Sequence, residues 1–341
     1  MKKHRNIPIF VPHMGCPNTC VFCNQRKISG CQKADFSSVK SEIETALATV
    51  PAGTHTQIAF FGGSFTGIDR EDMIYLLSVA KEYIDAGRVS GIRLSTRPDY
   101  IDEEILGILE RYGVESIELG IQSMDDGVLQ KSGRGHTSAQ TERACRLICG
   151  RGFELVGQMM TGLPGSDLEK DLYTAKKICD MGARGARIYP TVVFRDTELE
   201  RMMERGEYAS RDMEKVVSEG ARVAEVFAER GVKIIRIGLQ STELLTDGSE
   251  ISSPYHEATG ELIWSRYYRN TAEKILSAMN TQGMAAVITV PKGSVSKMIG
   301  QKKANEKYLT EKFALLGMKV RESERTDTEI SISLEERRKS R

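Results

Sequence analysis

Cys16, Cys20 and Cys23 are the residues in this chain whose type and spacing most directly imply chemistry. Separated by three and then two positions, three thiols can converge on one face of an iron–sulfur cluster, because soft thiolates suit such clusters. Three protein ligands leave a fourth iron open. A [4Fe-4S] cluster with an open corner can chelate a small molecule and pass it an electron, a different task from storing electrons behind four cysteines. A structural zinc site would want a fourth Cys or His, and Cys31 and His13 are near enough to be considered. Pro17, Asn18 and Thr19, interleaved with the cysteines, give a loop rather than a core element.

A loop of this kind needs a scaffold. Short apolar runs bounded by turn residues alternate with helical stretches from Ile7 onward. Strands are expected at 7–11, 57–61, 91–96, 115–121, 154–160 and 185–189. Helices are expected near 37–49, 70–86, 102–112, 139–150 and 168–181, and 234–239 is expected as a last strand. Six such units imply a partial, TIM-like (β/α)6 barrel, since a complete one would need eight. Parallel β/α folds place chemistry at the carboxyl ends of their strands. There the chain carries the cysteine loop, Gly62-Gly63-Ser64, Ser95 to Asp99, Gly120 to Ser123, Gly162 to Gly165 and Tyr189-Pro190-Thr191. Gly62-Gly63 permits close approach of backbone to a ligand, or simply turns the chain. Gln122 is a polar residue at a strand end that carries apolar Leu119 and Ile121. Arg134, in a glycine-rich loop, is suited to clamp a carboxylate, or is a solvated loop arginine.

Length and composition bound the rest. The 341 residues, with a net charge of +1, 40% hydrophobic and 28% charged, describe an ordinary globular protein able to bury a sizeable core. Charge is uneven: Lys2, Lys3, Arg5, Arg26, Lys27 and Lys33 precede any acidic residue, and the last 50 residues are lysine-rich. Seven cysteines, no signal peptide and no stretch apolar enough to span a bilayer imply a cytoplasmic protein without disulfides or membrane partners. Cys31, Cys145, Cys149 and Cys179 read as ordinary thiols.

With these residues in view, Cys16-x3-Cys20-x-Phe22-Cys23 resembles the cluster motif of the radical S-adenosylmethionine (radical SAM) superfamily, including the aromatic residue before the last cysteine. The resemblance implies a [4Fe-4S] cluster whose open iron is chelated by S-adenosyl-L-methionine. It also implies reductive cleavage to a 5′-deoxyadenosyl radical that abstracts hydrogen, with electrons from an external flavodoxin- or ferredoxin-type donor. Gly62, Gly63 and Ser64 look like the segment that binds the methionine amino group, although the family's frequent acidic third residue is Ser64 here. Phe22 would lie near the adenine, and Gln122 and Arg134 look like the positions holding the ribose and the methionine carboxylate. Thr96 to Asp99, Glu118 to Ser123, Arg134 to Thr137 and Ile188 to Thr191 are similar to the radical SAM domain of the Elongator catalytic subunit, which modifies wobble uridines of tRNA. That similarity runs from about Ile7 to Leu245, and the chain ends at Arg341 without room for Elongator's acetyltransferase domain.

Four regions are therefore expected: a barrel over 1–245, a connecting segment over 246–270, a small α/β domain over 271–324 and a charged, disordered tail over 325–341. In the small domain, strand, helix, glycine loop, helix and strand follow the order of a KH-type RNA-binding core. Lys303 replaces the second glycine of the usual GXXG loop. Lys292, Lys297, Gly300, Lys302 and Lys303 are the candidate nucleic-acid contacts, with a capping domain of merely solvated lysines as the plainer alternative. Together these features imply a radical SAM enzyme acting on RNA, with a tRNA base as target. The alternatives are a small-molecule enzyme similar to coproporphyrinogen dehydrogenases and a non-catalytic iron–sulfur RNA-binding protein.

Overall fold

The computed structural model describes residues 4–11, 20–23, 36–239, 251–323 and 329–336. Among them, β1 (His4–Val11), α1 (Val39–Leu47), β2 (His55–Gly62), α2 (Arg70–Asp85), β3 (Gly91–Thr96), α3 (Glu103–Arg111) and β4 (Val114–Gln122) open the chain. They are followed by α4 (Asp126–Lys131), α5 (Ser138–Gly150), β5 (Glu154–Thr161), α6 (Leu168–Asp180), β6 (Gly185–Pro190), α7 (Glu198–Glu204), α8 (Met213–Glu229) and β7 (Lys233–Ile237). The helices start where an acceptor side chain meets an exposed amide. Asp69, Asp102, Asp167, Thr197 and Asp212 each accept from backbone amides of the first turn, and Thr137 with Gln140 forms a capping box.

β1 to β7 form one sheet in sequence order, every neighbouring pair parallel. Adding each strand to the same side, with a helical crossover between, curls a sheet into a barrel wall rather than doubling it back. β1 and β7 are its two ends, so the barrel is partial, and the expected strand at 234–239 is the seventh. Ile58, Phe60, Ile92, Leu94, Ile117, Leu119, Ala186 and Ile188 alternate outward and are fully buried under the helices.

The inner face is different. Glu118, 2% exposed, receives Arg187 on both oxygens, Nε to Oε2 at 2.7 Å and Nη2 to Oε1 at 2.9 Å. Arg93 spans three strands, donating to Gln57 at 3.1 Å, Glu118 at 3.2 Å and Glu154 at 3.1 Å. The lumen floor is thus a charged lattice in which each ion has a hydrogen-bonded counter-ion, the condition under which buried charge is tolerated.

Beyond the barrel lie α9 (Thr259–Leu276), β8 (Met284–Pro291), α10 (Val295–Ile299), α11 (Ala304–Lys312), β9 (Gly317–Ser323) and β10 (Ser331–Glu336). β8 is the centre of a three-stranded sheet, parallel to β9 and antiparallel to β10. This corrects the disordered tail. Ile332 and Leu334 turn toward the apolar core, and that alternation gives Ser331–Glu336 a reason to pair with β8 despite its charge. α9 runs through the boundary expected near Asn270 and packs on both α8 and α10. No described helix is long and apolar enough to cross a membrane.

Replacing Glu118 by Gln leaves Arg187 without its carboxylate while Arg93 keeps Glu154. The expected loss is about 3 kcal/mol in denaturant unfolding, and Glu118→Gln with Arg187→Met should recover part of it. An unchanged midpoint in the single variant would show that the lattice carries no net burden.

Candidate active site

The described part of the cysteine loop is a tight turn, closed by the Cys23 amide donating to the Cys20 carbonyl at 2.9 Å. Two backbone bonds fasten it: the Val21 amide donates to Ser132 O at 3.1 Å, and the Leu199 amide donates to Val21 O at 2.8 Å. Val21 packs with Val193 and Leu199 in a small apolar cluster that Phe22 joins. The turn is therefore held between the loop after α4 and the start of α7. Cys16, with His13 and Cys31, lies outside the described residues.

Arg134 is the next element. Its Nη2 donates to Gly120 O at 2.7 Å and its Nη1 points to Cys20 Sγ at 3.6 Å, while Nε is buried without a partner. Arg97 fixes the backbone beneath it, donating to Arg134 O at 2.8 Å and pairing with both oxygens of Asp99 at 2.9 Å. At Gly120 a Cβ would lie 2.8 Å from Arg134 Nη2, so only glycine lets the guanidinium cross the strand end.

Gln122 sits where the β4–β5 register slips, with φ of 64°. This left-handed backbone is disfavoured for a non-glycine residue. Its Oε1 is buried without a partner. Strain and an unmet acceptor at one residue mark a site built for something other than stability. Gly62 has φ of 119° and a Cβ there would fall 2.4 Å from Val11 O, so the β2 end can pass close to β1 only as glycine. The Gly63 amide donates to Val11 O at 3.0 Å, and Ser64 is buried behind it.

Cys20, Phe22, Cys23, Gly62, Gly63, Ser64, Gln122 and Arg134 all line one cavity of about 150 Å³. Ser95, Thr96, Arg97, Glu118, Gly120 and Gln158 complete its wall. Gln158 and Glu118 were not anticipated from sequence as site residues. Their signal was a polar residue inside an otherwise apolar strand. Both also line a larger chamber of about 520 Å³ in the lumen, bounded by Met160, Arg187, Tyr189, Phe194 and Arg236. Phe22, Cys23, Gly62 and Ser95 are common to the two spaces, so the cysteine turn stands between them.

The donor set suits the group expected here. Two cavity-lining thiols, a cradle that only Gly62 permits, and the buried Gln122 Oε1 and Arg134 Nε are unmet valences that an amino-acid and ribose ligand on a cluster would satisfy. The other described thiols do not line this cavity. Burial pushes Cys145 up to about 12 and Cys179 up to about 11, and raises Cys149 as well, which disfavours the thiolate a metal needs. Among the described residues no group of three or more His, Cys, Asp and Glu is placed to hold a metal.

Lys292, Lys297, Gly300, Lys302 and Lys303 are placed elsewhere, around the turn between α10 and α11. Gly300, Lys302 and Lys303 have φ of 77°, 50° and 61°, so Lys303 adopts the backbone that a glycine would take without strain. Asn305 ties this turn to α9, donating to Ser265 O at 2.9 Å and Lys297 O at 3.2 Å.

A model of the radical SAM superfamily matches residues 10–178, and a model of the radical SAM C-terminal domain matches residues 183–269. An uncharacterized protein of Methanocaldococcus jannaschii is 30% identical over 218 residues, 60% of this chain and 66% of that one. The tRNA uridine(34) acetyltransferase of the same organism is 36% identical over 124 residues, 36% of this chain and 23% of that one. Human Elongator complex protein 3 is 33% identical over 136 residues, 39% of this chain and 25% of that one. The chain thus matches about two thirds of the first relative and about a quarter of the other two. The structure of Methanocaldococcus infernus Elp3 with an N-terminal deletion superposes with a TM-score of 0.61 at 20% identity, over 80% of this chain and 64% of that one, a likeness of fold.

Two measurements check this site. Burial, then the Arg134 charge, pushes His136 down to about 3, against the smaller opposing effects of Asp99 and the Ile121 backbone. The unfolded imidazole binds its proton below about 6.5 and the folded one only near 3. Stability should therefore fall by about 1.4 kcal/mol per pH unit as pH drops below 6.5, and His136→Leu should flatten that slope. Second, iron and sulfide content after anaerobic reconstitution should collapse in Cys20→Ala and Cys23→Ala but persist in Cys145→Ala, Cys149→Ala and Cys179→Ala. Cluster retained in Cys20→Ala would reject this ligand set.

Proposed function

This chain belongs to the radical SAM superfamily, and from that premise we propose that it is an RNA-modifying enzyme whose target is a base of tRNA. Its cofactors are a [4Fe-4S] cluster and S-adenosyl-L-methionine. A cluster held by Cys16, Cys20 and Cys23 would supply the electron for reductive cleavage of bound S-adenosyl-L-methionine. The observation carrying the assignment of roles is the convergence of eight residues, drawn from the ends of several strands and the loops after them, on one cavity.

Cys16, Cys20 and Cys23 are the proposed cluster ligands. The Gly62-Gly63-Ser64 backbone receives the methionine amino group in a space that a side chain at Gly62 would close. Arg134, already braced by Gly120 O and by Arg97 beneath its own carbonyl, has an unmet Nε to offer a carboxylate. Gln122, with its left-handed backbone at the register slip, offers Oε1 to a ribose hydroxyl. Phe22, between the two spaces, gives an apolar face to the adenine. At the chamber floor Glu118 is paired with both Arg93 and Arg187, so this part of the wall can be charged without a buried ion lacking its counter-ion. Electrons would come from a flavodoxin- or ferredoxin-type donor.

The tRNA reading is supported by the matched segments of the tRNA-linked relatives and by the lysine-bearing turn between α10 and α11, in the order of a KH-type module. The chamber itself, at about 520 Å³, is also of a size that suits a small-molecule substrate, which is the second reading.

Reduced, reconstituted protein should release 5′-deoxyadenosine from S-adenosyl-L-methionine. Nucleoside mass spectrometry of tRNA from cells with and without the protein should differ in one modified base, and identical profiles would favour the small-molecule reading. Gln122→Gly removes both the strained backbone and the unmet acceptor. It should leave the unfolding midpoint equal or higher, by up to about 1 kcal/mol, while weakening S-adenosyl-L-methionine binding in equilibrium dialysis.

A further inference from the structure

β7 is the last strand of the open sheet, and no described strand pairs with its outer edge. Along that edge, from Ile235 to Leu239, lies a cavity of about 270 Å³ whose other wall is Tyr255 to Glu261 and Trp264. It shares Arg236 and Leu239 with the chamber of about 520 Å³. Among the described residues, the lumen chamber and the cavity beside the first turns of α9 therefore adjoin at Arg236 and Leu239.

Three observations give this passage a chemistry. By strand alternation Arg236 projects to the same side as the lumen rather than with buried Ile237, and it lines the chamber. Arg93, Arg97, Arg134 and Arg187 each have an acidic or carbonyl partner, yet among the described residues the Arg236 side chain has no ion pair or hydrogen bond. Trp264, the single tryptophan of the chain, stands at the outer end, packed edge-on against Tyr267 with ring centroids 5.4 Å apart. Over it lies the Lys297 ammonium, 5.9 Å from the ring centroid and 3.6 Å from Glu261. Lys297 belongs to α10, which ends at Ile299 just before Gly300, so the same residue lies near both Trp264 and the lysine-bearing turn.

We propose that this passage takes single-stranded RNA from the turn between α10 and α11 into the chamber, Trp264 stacking a base and Arg236 holding a phosphate. An aromatic platform flanked by cations reads single strands with little sequence preference, because every base has a π-face and every linkage a charge. A duplex is too broad for a cavity of about 270 Å³, so the reacting nucleotide must leave its stack first. Packing alone accounts for the contact of Trp264 with Tyr267. It does not account for an arginine at the junction of two cavities that has no counter-ion among the described residues.

The inference rests on the RNA reading above, and the two fail differently. Trp264 emission reports this site alone, so full-length holoprotein is titrated with single-stranded oligouridine, a duplex of equal length and polyglutamate, while filter retention of the oligouridine is measured in parallel. Oligouridine should quench the emission saturably, and the duplex and polyglutamate should not. Trp264→Phe should keep the packing yet weaken filter retention roughly tenfold. Arg236→Gln should lower the salt slope of log K by about one. RNA retained on filters with the emission unmoved would overturn the passage and leave the RNA reading standing. No retention at any salt would overturn the RNA reading and the passage with it. Equal quenching by polyglutamate would mean general polyanion attraction or a protein partner, and would also overturn the passage.

Discussion

The guanidinium of Arg134 lies across the end of β4 because Gly120 has no side chain there, and that contact organises the rim. Through Nη2 it holds the β4 carbonyl and through Nη1 it faces Cys20, while the backbone carbonyl of Arg134 accepts from Arg97 at the end of β3. Three separate loops are thereby set relative to one another by one residue, two of them through a planar group whose donors have fixed directions. A lysine would supply the charge without that geometry. The cysteine turn adds the next link, since Val21 bonds to Ser132, two residues before Arg134.

Much of this was legible in the residues themselves. The strands alternate with helices at spacings that define a β/α wall, and the three thiols are too dense for a core. What the sequence could not convey was depth. Arg93, Glu118, Glu154 and Arg187 each stand in an apolar strand, and a single charge in such a run gives no hint of its partner on a strand 25 to 69 residues away. Pairing across the lumen depends on register, which follows from how the strands stagger rather than from any one of them. For the same reason Gln158, inside a strand, was missed while Gln122, at a strand end, was not.

The β10 strand shows the opposite limit. Ser331–Glu336 lies in a run of charges, and charge density argues for disorder. Ile332 and Leu334, two residues apart, are enough to give one face to a strand once β8 offers an edge, with Ile332 opposite Ile288 and Leu334 opposite Ala286. Local composition lost to a tertiary partner.

The two modules are joined by α9, and the join has a mechanical consequence. Its first residues border the outer edge of β7, its middle meets Asn305 through Ser265, and its last turns hold Glu225 of α8 through Asn270 at 2.9 Å and Lys274 at 3.2 Å. Gly260 lies so close to β7 that a Cβ there would fall 2.3 Å from Ile237 O. A helix wedged this tightly at one end and pinned by hydrogen bonds along its length cannot slide without breaking several of them together. The lysine-bearing turn is thereby held in a fixed relation to the open side of the barrel. On the proposed RNA reading, a strand bound at that turn would meet the lumen at a defined angle, as positioning of a reacting group requires.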